Sequence, residues 1–186
     1  LAQDVVIGSV ARLDVGKGHQ ELLDTLAQLT SRFPHAKLLC VGDGPLRRRL
    51  EARIRQLGLT NCVQLLGQRD DVPQLTQAFD IAVLASRYEG MGRVLLEAQA
   101  AGKPVVAMNA GGMVDIVKDG QTGYLVPGGD ARAFAEALER LITDAALRAR
   151  MGQAAVEWVS SRFSQQRMCE QLNTLYDRLL RPRERC

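Results

Sequence analysis

The sequence predicts an α/β fold, a Rossmann-like doubly wound parallel six-stranded sheet with helices on both faces. Two observations carry this. Short apolar runs of strand length (VVIGSV, AKLLCV, VQLL, IAVL, VVAM and GYLV) alternate with segments whose apolar residues recur at helical spacing. Glycine-rich loops follow several of these runs, at the strand ends where open α/β sheets bind ligands. With 186 residues the chain is long enough for one domain with a proper core and too short for two of ordinary size, so residues 1–186 read as a single domain. No internal repeat or low-complexity linker divides it.

Composition narrows the function classes. A net charge of +3, a pI near 8.8 and 4% aromatic residues supply neither the concentrated basic charge nor the stacking rings of a nucleic-acid binder. No apolar run approaches the length that spans a bilayer, and no signal peptide is evident. The first residue is Leu1 rather than Met, so we expect an excised domain or fragment whose N-terminal half is missing. Cys40, Cys62, Cys169 and Cys186 are too dispersed for a zinc clamp or a redox pair, and Cys40 and Cys62 lie in apolar runs where cysteine packs as a small hydrophobe. His19 and His35 have no neighbouring ligand set, so no metal site is expected. The Gly-x-Ser-x-Gly elbow of many serine hydrolases is absent.

Taken in order, Val5–Val10 reads as a buried strand, and the loop ARLDVGKGHQ leads into a helix with Leu22, Leu23, Leu26 and Leu29 on its inner stripe. The GKG invites a Walker reading, which fails because Ala11 and Gly18 stand where a phosphate loop needs Gly and Ser or Thr. Arg12 and Lys17 emerge at the carboxyl end of this first strand; alone, they read as solvated surface cations. Ala36–Val41 is the second strand. GDGPLRRRL then turns into a helix, with Pro45 in its first turn, Leu46, Leu50, Ile54 and Leu57 inward, and Arg47, Arg48, Arg49, Arg53 and Arg55 on a solvated face. Glu51 among these arginines weakens a membrane-surface reading. Gly42 and Gly44 open a GxGxxG whose third position is Arg47, so a nicotinamide fingerprint is absent.

Residues 63–66 form the third strand, which exits at Gly67, Gln68 and Arg69, and residues 72–79 a short helix. Ile81–Leu84, Val105–Met108 and Gly123–Val126 are the remaining strands, with a short helix bearing Asp115 between the last two. From Asp130, a good N-cap, the chain is helical. One helix reaches about Ile142, a second holds Gly152 and Trp158, and a third, capped by Ser164, has Met168, Leu172, Leu175 and Leu179 along one side. The terminal RPRERC reads as a frayed tail.

The stretch 86–107, SRYEGMGRVLLEAQAAGKPVVA, organises the rest. Gly90 and Gly92 let the backbone turn tightly and approach a ligand with no Cβ in the way. If the helix starts near Gly92, Glu97 lies about 7.5 Å along its axis. Free N–H groups and the dipole at the helix start suit a diphosphate, and a carboxylate one turn on can reach the ribose beyond it. Glu89, on the other side, would face a sugar. On its own, however, Glu97 reads equally well as a solvated charge on an exposed helix face.

The longer segment 88–130, YEGMGRVLLEAQAAGKPVVAMNAGGMVDIVKDGQTGYLVPGGD, resembles the signature region of the retaining glycosyltransferases of family 4, the group 1 glycosyltransferases. Those enzymes carry two glutamates separated by seven residues, as Glu89 and Glu97 are, followed by a GKPVVA strand and a GG...DG..G.LV loop. The resemblance covers nearly all of the chain. It implies the C-terminal, donor-binding half of the GT-B architecture, with the acceptor held by an N-terminal Rossmann-like half that this chain lacks. It further implies a nucleotide-sugar donor such as a UDP-sugar or GDP-sugar, no cofactor, no metal, and transfer of a hexosyl unit with retention at the anomeric carbon.

Residue by residue, Arg12 and Lys17 match the Arg and Lys that hold the donor diphosphate in the family's GRL...KG loops. The resemblance likewise implies that Gly90, Met91, Gly92 and Arg93 would form the donor loop, that Glu97 would accept ribose hydroxyls, and that Glu89 would be the catalytic carboxylate at the sugar. Arg69 falls where the family places the nucleotide base, and residues 109–112 would offer free backbone donors near the sugar. Met91 and Arg93 replace the Phe, and Leu or Thr, often found there, and Asp115 replaces a usual Glu, which leaves the sugar open. The implied acceptor is a glycan or lipid-linked molecule of polysaccharide, lipopolysaccharide or glycolipid biosynthesis. The expected location is the cytoplasm, with peripheral contact at the inner membrane face as a variant. Two other classes remain: a glycoside hydrolase, which also uses two carboxylates but needs no phosphate site, and a non-catalytic nucleotide-sugar sensor, which would bind the same ligand through the same residues.

Overall fold

Every apolar run named above forms a strand, and all of them pair in parallel. The computed structural model describes residues 4–180; RPRERC lies outside them. The elements are β1 (Val5–Val10), α1 (His19–Leu29), β2 (Ala36–Val41), α2 (Arg47–Gln56), β3 (Val63–Gly67), α3 (Val72–Gln77), β4 (Ile81–Leu84), α4 (Arg93–Ala100), β5 (Val105–Met108), α5 (Met113–Ile116), β6 (Gly123–Val126), α6 (Ala131–Thr143), α7 (Ala145–Arg162) and α8 (Gln165–Leu180). The strand order is β3-β2-β1-β4-β5-β6. From β1 the chain steps outward to β3, then returns past β1 and steps outward the other way. Right-handed crossovers in opposite directions put the two helix sets on opposite faces. Thus α1 packs on α2 and α6, while α4 packs on α3 and α7.

Burial follows from this layering. Every residue of β4 and β5 is buried, as expected of central parallel strands covered on both sides. Leu22, Leu23, Leu26 and Leu29 of α1 are all buried, and each such side chain contributes roughly 1.5–3 kcal/mol by leaving water. Asp130 caps α6 as its sequence position suggests, accepting from the Ala133 N–H at 2.9 Å, and Asp144 caps α7 by accepting from the Leu147 N–H at 2.8 Å.

The structure amends several expectations. Pro45 precedes α2, whose N-cap is Leu46, so it sits in the entering turn rather than the first helical turn. β3 runs one residue further, to Gly67, and α3 stops at Gln77. The arginines of α2 divide: Arg48, Arg49 and Arg55 are exposed, but Arg47 bonds Asp43, Glu51 and the Leu65 carbonyl, and Arg53 bonds Asp24. Neighbouring elements carry acceptors at those two positions, which turns two surface charges into ties between elements. No residue of α8 is buried, and its Met168, Leu172, Leu175 and Leu179 lie exposed. Among the described residues its apolar side therefore has no packing partner.

Candidate functional site

The strand order reverses between β1 and β4, so the loops leaving these two strands diverge and open a crevice at the carboxyl edge of the sheet. The β1 loop carries Arg12 and Lys17; the β4 loop carries Glu89. Two close approaches lock these loops together. A Cβ on Gly18, which has φ 72°, would lie 1.9 Å from the Ala85 carbonyl oxygen, and the Arg87 N–H donates to the Gly16 carbonyl at 2.8 Å. Across this contact Lys17 Nζ reaches Glu89 Oε2 at 2.8 Å, with the two side chains 30% and 18% exposed.

The β5 loop completes the setting of Glu89. Gly112 donates its N–H to the Glu89 carbonyl at 3.2 Å, and a Cβ on Gly111 would stand 1.9 Å from that same oxygen. This narrows the expectation of free donors over 109–112: the Gly112 N–H is spent on Glu89 and the Asn109 N–H on Val126 at 2.6 Å, so among the described residues only the Ala110 and Gly111 N–H groups of the segment have no bond. The segment shapes the carboxylate loop from behind. Behind it in turn, the Ile116 carbonyl accepts from Trp158 Nε1 at 2.8 Å and from Gln99 Nε2 at 3.3 Å, tying α5 to α7 and α4. The Arg162 guanidinium caps the Trp158 ring at 4.3 Å.

Gly92 is the N-cap of α4, as its sequence position suggested. Among the described residues no hydrogen bond uses the N–H groups of Gly90, Met91, Gly92 or Val94, so the start of α4 offers several donors together with its dipole. Glu97, on the same helix, is exposed and has no ion-pair partner among the described residues. Met91 and Arg93 are exposed at the helix entrance. Arg12 is exposed and lies 3.3 Å from Asp14. Arg69 is held by two bonds to Asp71, at 2.8 and 2.7 Å, and this pairing holds the Asp71 carboxyl below and the Arg69 guanidinium above their ordinary pKa values. Thus Lys17, Glu89 and the α4 entrance come together, whereas Arg69 is engaged with its own loop.

The sequence reading gave no role to three residues of this region. His19 is buried at the first position of α1, with Nε2 3.1 Å from the Arg12 carbonyl oxygen. Ser86 and Gln99 are wholly buried, and Ser86 Oγ and Gln99 Oε1 have no hydrogen-bond partner among the described residues. Only Gln99, between alanines, carried a sequence signal, a polar residue in an apolar run. A cavity of about 350 Å³ adjoins the β1 and β4 loops, lined by His19, Glu21, Arg49, Arg87 and Tyr88 among others, but not by Lys17, Glu89 or Glu97. Among the described residues no cluster of His, Cys, Asp and Glu has the makings of a metal site, and no helix is long and apolar enough to cross a membrane.

Parallel strands, and helices on both faces of a sheet whose strand order reverses at its centre, define a doubly wound α/β domain. Comparison with known proteins takes the assignment further. The family model described as glycosyl transferases group 1 matches residues 2–158, and the chain belongs to this family. Among its relatives, a D-inositol 3-phosphate glycosyltransferase of Corynebacterium jeikeium is 39% identical over 94% of this chain and 43% of its own length. An N-acetyl-alpha-D-glucosaminyl L-malate synthase of Bacillus anthracis is 34% identical over 87% of this chain and 42% of its own length. The chain thus spans less than half of these relatives. The HepE protein of Anabaena, solved in complex with UDP and glucose, superposes with a TM-score of 0.84 at 35% identity, covering 93% of this chain and 49% of that one. The C-terminal domain of a group 1 glycosyl transferase (LpcC) from Francisella tularensis superposes at 0.79 with 27% identity, covering 89% of both chains. The fold is accordingly the Rossmann-like half of a GT-B glycosyltransferase.

Proposed function

We propose that the chain is the C-terminal, donor-binding half of a retaining nucleotide-sugar glycosyltransferase that transfers a hexosyl unit to an acceptor hydroxyl of a growing glycan or lipid-linked sugar. The observation that carries this is the meeting of Lys17 and Glu89 at 2.8 Å across the switch point, beside the unoccupied N–H groups at the start of α4. A diphosphate set on those N–H groups gains from the helix dipole and from Lys17 and Arg12, and needs no metal to neutralise it. Glu97 then accepts ribose hydroxyls, and Glu89 holds the sugar and stabilises the positive charge that grows at its anomeric carbon. In the transfer, the bond from that carbon to the diphosphate oxygen breaks as the acceptor oxygen bonds to the same carbon. The hydroxyl proton leaves to the departing diphosphate.

The acceptor belongs on a second Rossmann-like half, which would also cover the exposed apolar side of α8. By this account the 186-residue chain binds the donor and transfers nothing, because the reacting hydroxyl is not positioned. We place the reaction on the cytoplasmic side, at or near the membrane face. Calorimetry on this chain tests the reading: UDP or GDP should bind better than the matching nucleoside, the advantage should shrink with salt, and Arg12→Ala with Lys17→Ala should remove most of it. A double variant that still prefers the diphosphate returns both cations to the solvated surface.

A further inference from the structure

His19 lies outside the donor contacts assigned above, yet it touches the segment that carries both donor cations. Its side chain is buried at the start of α1, and Nε2 lies 3.1 Å from the Arg12 carbonyl oxygen, seven residues back in the chain. A carbonyl oxygen only accepts, so Nε2 carries the hydrogen and the neutral ring is the Nε2–H tautomer. The bond runs from the helix start to the strand exit and closes the loop between them. Lys17 stands two residues before His19, and Arg12 is the bonded residue itself.

The loop has other ties, but none of them joins Arg12 to α1. Leu13 donates to the Asp43 carbonyl at 3.0 Å, Lys17 to the Asp14 carbonyl at 3.3 Å, and Arg87 to the Gly16 carbonyl at 2.8 Å. Asp14 donates to the Arg12 carbonyl at 2.8 Å, but that is a bond within a three-residue turn, which curls the chain without joining it to α1. Among the described residues the His19 ring alone connects Arg12 to the helix. Two flexible cations contribute to binding only to the extent that the backbone presenting them is already ordered, because ordering it during binding weakens affinity.

We propose that His19 is a positioning residue for the donor diphosphate: its hydrogen bond to the Arg12 carbonyl holds the segment that presents Arg12 and Lys17 in a geometry that fits two phosphates. This rests on the assignment of those cations to the diphosphate. Burial lowers the imidazole's pKa from its ordinary 6.5, reinforced by Lys17 and opposed by the Arg12 hydrogen bond and Glu21, so the ring acts at neutral pH as a hydrogen-bond donor and adds no charge of its own.

The test uses the 186-residue chain. His19→Phe keeps a buried ring and removes the donor, whereas His19→Gln returns an N–H; should the Phe variant not fold, His19→Leu serves the same comparison. Calorimetry with UDP or GDP, whichever the chain binds, should show the Phe variant roughly fivefold weaker, the effect of one neutral hydrogen bond, with nucleoside affinity unchanged and the Gln variant near the parent. Hydrogen exchange without ligand should be faster at the Lys17 amide in the Phe variant and normal in the Gln variant. Unchanged exchange overturns the clasp, and unchanged nucleotide affinity or an equal loss for the nucleoside overturns the positioning role. If the parent chain binds neither nucleotide, the donor-site reading fails and the role of His19 fails with it, while the exchange measurement still shows whether the clasp exists.

Discussion

Lys17 Nζ lies 2.8 Å from Glu89 Oε2 although 72 residues separate them. The ammonium assigned to the diphosphate and the carboxylate assigned to the sugar are thus each other's partners, and an arriving diphosphate must share or take over Lys17. That exchange would release Glu89 to the sugar hydroxyls at the moment they arrive.

Neutralising the carboxylate tests this competition. Glu89→Gln should bind UDP or GDP as tightly as the parent chain or more tightly, because Lys17 no longer divides its charge between two anions. In a protein that also carries the acceptor half, the same change should lower turnover far more than donor affinity. Calorimetry and steady-state kinetics read the two effects; a tenfold or greater loss of nucleotide affinity would show that Glu89 maintains the shape of the crevice instead.

Glu97 is exposed and without an ion-pair partner among the described residues, so removing it breaks no internal contact. Glu97→Ala should therefore leave the melting temperature unchanged and weaken nucleotide binding by roughly 1.5–3 kcal/mol, the range for hydrogen bonds to a charged group. Normal affinity in the folded variant would remove Glu97 from the site.

Gly111 and Gly120 both have positive φ, 55° and 70°, but differ in surroundings. At Gly120 a Cβ meets nothing within 4 Å, so Gly120→Ala should cost only the left-handed backbone term, about 1–2 kcal/mol. At Gly111 it would stand 1.9 Å from the Glu89 carbonyl, so Gly111→Ala should cost more and also impair nucleotide binding by displacing the Glu89 loop. Denaturant unfolding of the two variants gives the comparison; equal costs would mean the β5 loop yields freely.

The buried imidazole of His19 makes stability depend on pH. Its folded pKa lies below the ordinary 6.5, so the unfolded chain takes up a proton first as the pH falls. The contribution is fully present above about pH 6.5 and is lost as the pH drops from there through the lowered folded value. Unfolding at pH 7.5 and pH 5.5 should show a smaller drop for His19→Gln than for the parent chain; identical drops would mean that the ring protonates freely in the fold.

Particular residues show how much of this was legible beforehand. Leu22, Leu23, Leu26 and Leu29 repeat at helical spacing, and IAVL and VVAM are apolar throughout, so α1, β4 and β5 were readable from period and composition. A start of α4 near Gly92 was readable too, because glycine marks local turns, and group 1 membership followed from the order of motifs over 88–130. Pro45 misled by two residues, since both a helix start and the loop before it accept proline. Arg47 and Arg53 read as solvated because the acceptors that tie them to other elements, the Leu65 carbonyl and Asp24, lie far along the chain.

By itself the sequence determined the element types, their parallel arrangement and the family, since each depends on local pattern or on motif order. Only the tertiary structure decided which residues meet. The pairing of Lys17 with Glu89 and the use of the Gly112 N–H to support the Glu89 loop are set by strand order, whereas the retreat of Arg69 to Asp71 and the burial of His19 against the Arg12 carbonyl are settled within single loops, by the fold of each loop. Placing β1 beside β4 brings together side chains more than seventy residues apart, and at contact distance burial and charge, rather than sequence period, choose the partners.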